Sequence, residues 1–172
     1  RGRSQKFRPN LKSCKQLQGS RLSRMEIPFC KYSGSGNDFV IIDNRDLKIK
    51  LDSSQIKLIC DRKQGIGSDG VILAEPGSKT PIKMRIFNSD GSEAEMCGNG
   101  IRCAAKYAWD SKLISKTRVS VRTMAGPRYP EIILHDGKVA AVKVDMGEPI
   151  LKPADIPADF TREPVVNEKI TV

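Results

Sequence analysis

Histidine is all but missing from this sequence, His135 being the single one in 172 residues. A thiol or hydroxyl nucleophile of the protease type needs a histidine base. Acyl transfer therefore has one candidate partner, and it stands in what reads as a hairpin turn. The cysteines, Cys14, Cys30, Cys60, Cys97 and Cys103, form no Cys-x-x-Cys pair. With one histidine, that leaves a zinc site without a ligand set, and no metal is expected. No apolar run reaches the roughly 18 residues that a spanning helix needs, so no membrane partner is expected. A secretory apolar segment is missing too, which removes the case for disulfides. Reduced thiols in a cytoplasm are the expectation, with a plastid stroma as the alternative if the N-terminal segment is a transit sequence.

Acid is absent from residues 1–24, which hold eight of the thirty Lys and Arg. From Met25 onward the balance is 22 basic against 20 acidic residues, so the formal charge of +10 is mostly that of the leader. A near-neutral body gives no reason to expect a nucleic-acid partner. The leader is rich in Arg, Lys and Ser and has no apolar periodicity. It fits an organelle-targeting segment, or an extension that is not native protein, since residue 1 is not Met and Met25 directly precedes the first strand-like run. Either way, residues 1–24 are expected to be disordered.

What is present reads as short strands and two helices. Ile27–Tyr32 and Phe39–Asp43 read as strands around a turn at Gly34–Asp38. Ser53 or Ser54 can cap a helix over Gln55–Arg62, with Ile56, Ile59 and Cys60 on one face and Gly65 placed to stop it. Val71–Glu75, Ile82–Phe87, Val119–Met124, Glu131–Leu134 and Val139–Met146 complete seven strands, the last two joined by a turn at His135-Asp136-Gly137. A second helix is expected over Asn99–Lys112. Its apolar residues from Ile101 to Trp109 point almost all round the axis, so it should be buried on most sides. Without strict alternation of strand and helix, the fold class is α+β, a mixed or antiparallel sheet wrapped around a central buried helix. Four prolines, Pro149, Pro153, Pro157 and Pro164, crowd the last 26 residues. The expected division is a leader (1–24), a domain (25–147), and a linker with the start of a truncated second domain (148–172).

Gly65-Ile66-Gly67-Ser68-Asp69-Gly70 matches the dinucleotide fingerprint in a reversed context, with a helix before it and a strand after it. It reads instead as a loop that turns the chain or lines a site. Cys97-Gly98-Asn99-Gly100 carries more chemistry. It opens the buried helix, whose first N–H groups lack internal partners and bear a partial positive charge. Two glycines keep the approach to those groups clear. An anion such as a carboxylate suits that end, beside the thiol of Cys97. The residues alone leave open a small buried cysteine in a tight turn, a nucleophile, and a thiol that moves protons. Cys103, nearly two turns along, reads as core. Asn37 and Asn88 stand where strands meet turns, places where Asn commonly caps its own backbone.

Four segments taken together, "KYSGSGNDFVIID" (31–43), "DRKQGIGSDGVILAE" (61–75), "MRIFNSDGSEAEMCGNGIRC" (84–103) and "VKVDMGEPIL" (142–151), resemble the diaminopimelate epimerase family in order and spacing. The resemblance runs from about Met25 to the end of the chain. It implies the first of two pseudo-symmetric halves, each a sheet around a central helix, with substrate held between them and no cofactor, neither pyridoxal phosphate nor metal. It implies a cysteine from each half on opposite faces of the α-carbon, interconverting L,L- and meso-diaminopimelate, an amino-acid substrate of lysine and peptidoglycan-precursor synthesis. By motif, Cys97 is the acid/base cysteine of this half, and Asn37, Asn88, Gly98 and Asn99 are substrate-binding positions.

The chain departs from the family pattern in three places. Ser33-Gly34-Ser35 stands where members often have His-Gly-Leu, Gly70 stands where some have a substrate-contacting glutamine, and the chain is expected to end before the second half. Alone it is therefore expected to be inactive. A related cofactor-independent racemase and a non-catalytic single-domain remnant stay open as alternatives, as does homodimerisation of the full-length protein.

Overall fold

The computed structural model describes residues 4–7 and 27–156, and beyond them 159, 164–167 and 169. In chain order the described elements are β1 (Ser4–Phe7), β2 (Ile27–Gly34), β3 (Asn37–Asp43), α1 (Ser53–Cys60), β4 (Gly70–Glu75), β5 (Ile82–Asn88), β6 (Glu93–Ala94), α2 (Gly98–Asp110), β7 (Val121–Thr123), β8 (Gly126–Arg128), β9 (Glu131–His135) and β10 (Lys138–Lys143).

One sheet runs β1-β2-β3-β4-β5-β7-β8, with β6 also paired to β5. It is mixed: β3–β4 and β5–β7 are parallel, and the other pairs are antiparallel. Each parallel pair is bridged by a helix, α1 in the first case and α2 in the second. Strand β9 pairs with β10 in a separate hairpin.

Side-chain alternation sets the layers. Phe39 and Ile41 of β3, Ile72 and Ala74 of β4, and Ile82, Met84 and Ile86 of β5 pack with Ile101, Ala104, Ala105 and Ala108 of α2. The intervening Val40, Ile42, Val71, Leu73 and Phe87 pack with Ile56, Ile59 and Cys60 of α1 on the opposite face. Strands covered on both faces read as unbroken apolar runs, as "FVII" and "VILA" do. Helix α2 packs against β2, β3, β4, β5 and β10, and this is the buried central helix expected from its composition. A Cβ on Gly100 would lie 2.6 Å from Ile86 Cδ1, so glycine there lets the start of the helix press onto β5. Among the described residues no helix is long and apolar enough to cross a membrane.

The structure differs from expectation in several places. Asp52, not Ser53 or Ser54, caps α1, through a reciprocal box with Gln55. The helix stops at Cys60, short of Arg62. There the chain folds back, and the amides of Ile66, Gly67 and Ser68 bond the carbonyls of Ile59 and Cys60. The turn expected over 34–38 shrinks to Ser35 and Gly36, both at positive φ, so Asn37 already belongs to β3. Residues 4–7 fall in the leader expected to be disordered, yet they pair as β1 from Ser4↔Cys30 to Phe7↔Ile27. A free sheet edge offers unpaired backbone groups to any extended segment, whatever its side chains. The remaining leader lies outside the described residues. After Gly147 a 3-10 turn spans Pro153–Asp155. Residues 164–167 and 169 form no strand, and the other residues beyond 159 of the segment expected to start a second domain lie outside the described residues.

Candidate active site

Cys97 is the N-cap of α2, in extended conformation, and its Sγ accepts a hydrogen bond from Gly100 N–H at 3.3 Å. Ile101 N–H donates to the Cys97 carbonyl at 2.9 Å. The amides of Gly98 and Asn99 have no partner among the described residues and sit at the positive end of the helix. A half-buried thiol and two open N–H donors thus share one helix terminus.

The β2–β3 hairpin brings Asn37 to the same place. Its approach to α2 is close enough that a Cβ on Gly34 would lie 3.1 Å from Cys103 Sγ and 3.6 Å from the Asn99 carbonyl. Asn99 Nδ2 donates to Asn37 Oδ1 at 2.7 Å. Arg102 Nη1 donates to Asn99 Oδ1 at 3.0 Å and to the Gly98 carbonyl at 3.1 Å. On the other side, Asn37 Nδ2 donates to Asp69 Oδ2 at 3.1 Å. Asp69 comes from the glycine-rich loop, which through this bond reaches the β2–β3 hairpin. The backbone N–H of Asp38 donates to the same Oδ2 at 3.0 Å, and Arg62 Nη2 reaches Asp38 and Asp69 at 2.8 Å each. Lys31 pairs with Asp38 at 2.8 Å.

These contacts fix protonation. The Arg62 guanidinium and then Lys31 hold the Asp38 carboxyl well below the usual carboxylate range. Asp69 is also lowered, first by the Asp38 backbone N–H and then by Asn37. Burial raises Cys30 and Cys60, and it pushes Cys103 up to about 11.

Cys97, Gly98, Asn99 and Asn37 therefore come together. Asn88 does not bond to them: it is exposed at the end of β5, and its Nδ2 donates to Ser92 Oγ at 3.0 Å. The register Phe39↔Gly70 and Gly70↔Asn88 nevertheless puts it at the sheet end where β3 begins. His135 ends β9 beside the exposed turn to β10, 3.1 Å from Asp136, and it bonds no thiol among the described residues. Met146 covers the glycine side of the helix end, with Sδ 3.4 Å from where a Gly98 Cβ would lie. A cavity of about 450 Å³ opens alongside, between Gly34, Arg102, Cys103, Lys106 and Val142; neither Cys97 nor Asn37 lines it. Sequence reasoning missed Asp69, Asp38, Arg62 and Arg102. Arg102 carried a signal: with Lys106 it is one of two charges in the apolar run from Ile101 to Trp109, and a half-buried charge needs partners.

The pattern of the family described as Diaminopimelate epimerase is matched over residues 29–152. The diaminopimelate epimerase of Methanococcus maripaludis is 48% identical over 143 residues, which are 83% of this chain and 52% of that protein. That of Agathobacter rectalis is 52% identical over 130 residues, 75% of this chain and 45% of that one. The chain spans about half the length of the relatives it matches. Among solved structures, a methylitaconate-delta-isomerase is similar at TM-score 0.53 and 19% identity, covering 67% of this chain and 36% of the other. A probable proline racemase from Agrobacterium radiobacter, with bound carbonate, is similar at TM-score 0.54 and 14% identity, covering 69% and 41%. At such identities the likeness is one of fold, and it agrees with the expected sheet around a central helix. The sequence match over most of the domain is of another order, and by it this chain belongs to the diaminopimelate epimerase family.

Proposed function

We infer that this chain supplies one of the two acid/base thiols of a cofactor-independent diaminopimelate epimerase. The observation that carries the reading is Cys97 capping α2 beside the open amides of Gly98 and Asn99. In the proposed step, the substrate α-carboxylate sits on those amides and Asn37 and Asn88 hold the amino-acid end. Cys97 thiolate takes the α-proton: the C–H bond breaks, S–H forms, and the electron pair passes into the carboxylate as an enolate. A thiol on the opposite face returns a proton to the carbon, which inverts it.

A helix terminus alone contributes about 0.3–1 kcal/mol, up to roughly 2 when partly buried. An amino-acid α-proton demands much more. Several aligned donors and exclusion of water must add to the helix end. The cytoplasm, where thiols stay reduced, is the setting that fits this chemistry.

Alkylation by iodoacetamide near neutral pH, read by peptide mass, tests the assignment. Cys97 should label well before Cys60 and Cys103, which are buried. Added meso-diaminopimelate should slow labelling at Cys97 alone. Prior labelling of Cys103, or no protection by diaminopimelate, would overturn the reading.

A further inference from the structure

The hydrogen bonds around Asn37 and Asn99 run in one direction from a cation to an anion. Arg102 donates to Asn99, Asn99 donates to Asn37, and Asn37 donates to Asp69, at 3.0, 2.7 and 3.1 Å. A primary amide can usually be turned over, exchanging its oxygen and nitrogen at little cost. Here neither can turn. Arg102 has donors only, so the atom of Asn99 that faces it must be oxygen. Asp69 is an ionised carboxylate with acceptors only, so the atom of Asn37 that faces it must be nitrogen. The central bond is then forced to run from Asn99 Nδ2 to Asn37 Oδ1. Turning one amide would set oxygen against carboxylate or N–H against guanidinium, and would break the central bond as well.

We propose that Asp69 and Arg102 are positioning residues that together fix which edge of each asparagine amide faces the substrate. Resting on the substrate-binding reading of Asn37 and Asn99 given above, the arrangement leaves each side chain one free N–H and one free lone pair in a set direction. A ligand bearing both an ammonium and a carboxylate group can use both at once. Donors and acceptors set before binding do not have to be reoriented when charge develops in the substrate. Asp69 is held in turn by Arg62 and by the Asp38 backbone. The glycine-rich loop thereby acts at a distance on a helix terminus that it does not bond directly.

The side-chain amide resonances of Asn37 and Asn99 in the ¹⁵N-labelled full chain provide the test. Asp69→Asn should move both pairs, including that of Asn99, which has no bond to residue 69. Arg102→Met should likewise move that of Asn37, and Arg102→Lys, which keeps a donor-only group, should restore it. Arg62→Gln removes the ion pair to Asp69 but leaves the carboxylate, and should leave the Asn99 pair in place. In the alkylation assay, Asp69→Asn should weaken diaminopimelate protection of Cys97 by roughly tenfold, the order of one oriented hydrogen bond.

Effects confined to the asparagine that touches the substituted residue would overturn the proposal. So would an Arg62→Gln change as large as that of Asp69→Asn. Should Asp69→Asn fail to fold, the Asn37 signal in the Arg102 variants decides alone. Loss of protection in the unsubstituted chain would count against the substrate reading, whereas the amide signals judge the positioning of the asparagines by itself.

Discussion

Cys97 and Cys103 are the same side chain in two environments about 9 Å apart along one helix. Cys97 caps the terminus, half-exposed, with N–H groups pointing past it. Cys103 is buried under the β2–β3 hairpin, where its ionised form loses hydration and the nearby Arg102 only partly offsets that loss. Its folded pKa, about 11, lies above the ordinary thiol value. Its contribution to stability is therefore complete below that ordinary value and is lost as pH rises toward 11. The urea midpoint should fall as pH is raised above about 9, and less steeply in Cys103→Ala than in the parent; equal slopes would place the titration elsewhere. Asp38 has the opposite sign. Its lowered pKa stabilises the fold above the unfolded carboxylate value, and that stabilisation fades as acid is added.

At the scale of elements, α1 and the loop after it locate Asp69, and glycine is what permits the loop. A Cβ on Gly65 would lie 1.8 Å from the Leu58 carbonyl oxygen. Gly65→Ala should cost about 2–3 kcal/mol in urea unfolding, since backbone must shift to accept it. Asp52→Ala should cost about 1 kcal/mol by removing the cap. A Gly65→Ala variant as stable as the parent would mean that the loop has room it does not show. The two helices and the buried strands were legible because Ile56, Ile59 and Cys60, or Val71–Ala74, repeat apolar character over several residues. Strands β6 and β8 were not, for two or three residues such as Glu93–Ala94 carry no period. The cap was misread because Asp52 and Ser53 are equally good candidates, and the Gln55 contact that decides between them is visible only in three dimensions. In the site, Cys97 announced itself through its place ahead of an apolar helix. Asp69 did not, because its partner Asn37 stands some thirty residues before it and is brought to it by the sheet register, while Asn99, some thirty residues after it, is reached only through Asn37.

For the whole molecule, proton removal and return need an acid and a base on opposite faces of one carbon. No other described cysteine caps a helix, and Cys60 and Cys103 are enclosed. Groups that work as a unit lose most of the rate when one is missing. The 172-residue chain by itself should give no measurable conversion of L,L- to meso-diaminopimelate. In deuterated water it should exchange the α-proton no faster than Cys97→Ala. Robust turnover by this chain would assign the second acid to some other of its residues.

The two parallel strand pairs also have a consequence for how fast the chain reaches its native state. Phe39 meets Gly70, and Ile82 meets Val121, only after a helix and its flanking loops have been drawn closed. Closing such loops is an entropic barrier crossed before any pairing compensates, and chains dominated by such distant pairings refold in milliseconds to seconds rather than microseconds. The β9–β10 hairpin, by contrast, closes through a two-residue turn and can form late or early at little cost. In stopped-flow chevrons, Ile72→Val in the parallel centre should mainly slow refolding, while Ile132→Val in the hairpin should mainly speed unfolding. The reverse pattern would put the nucleus in the hairpin and leave the parallel centre to assemble last.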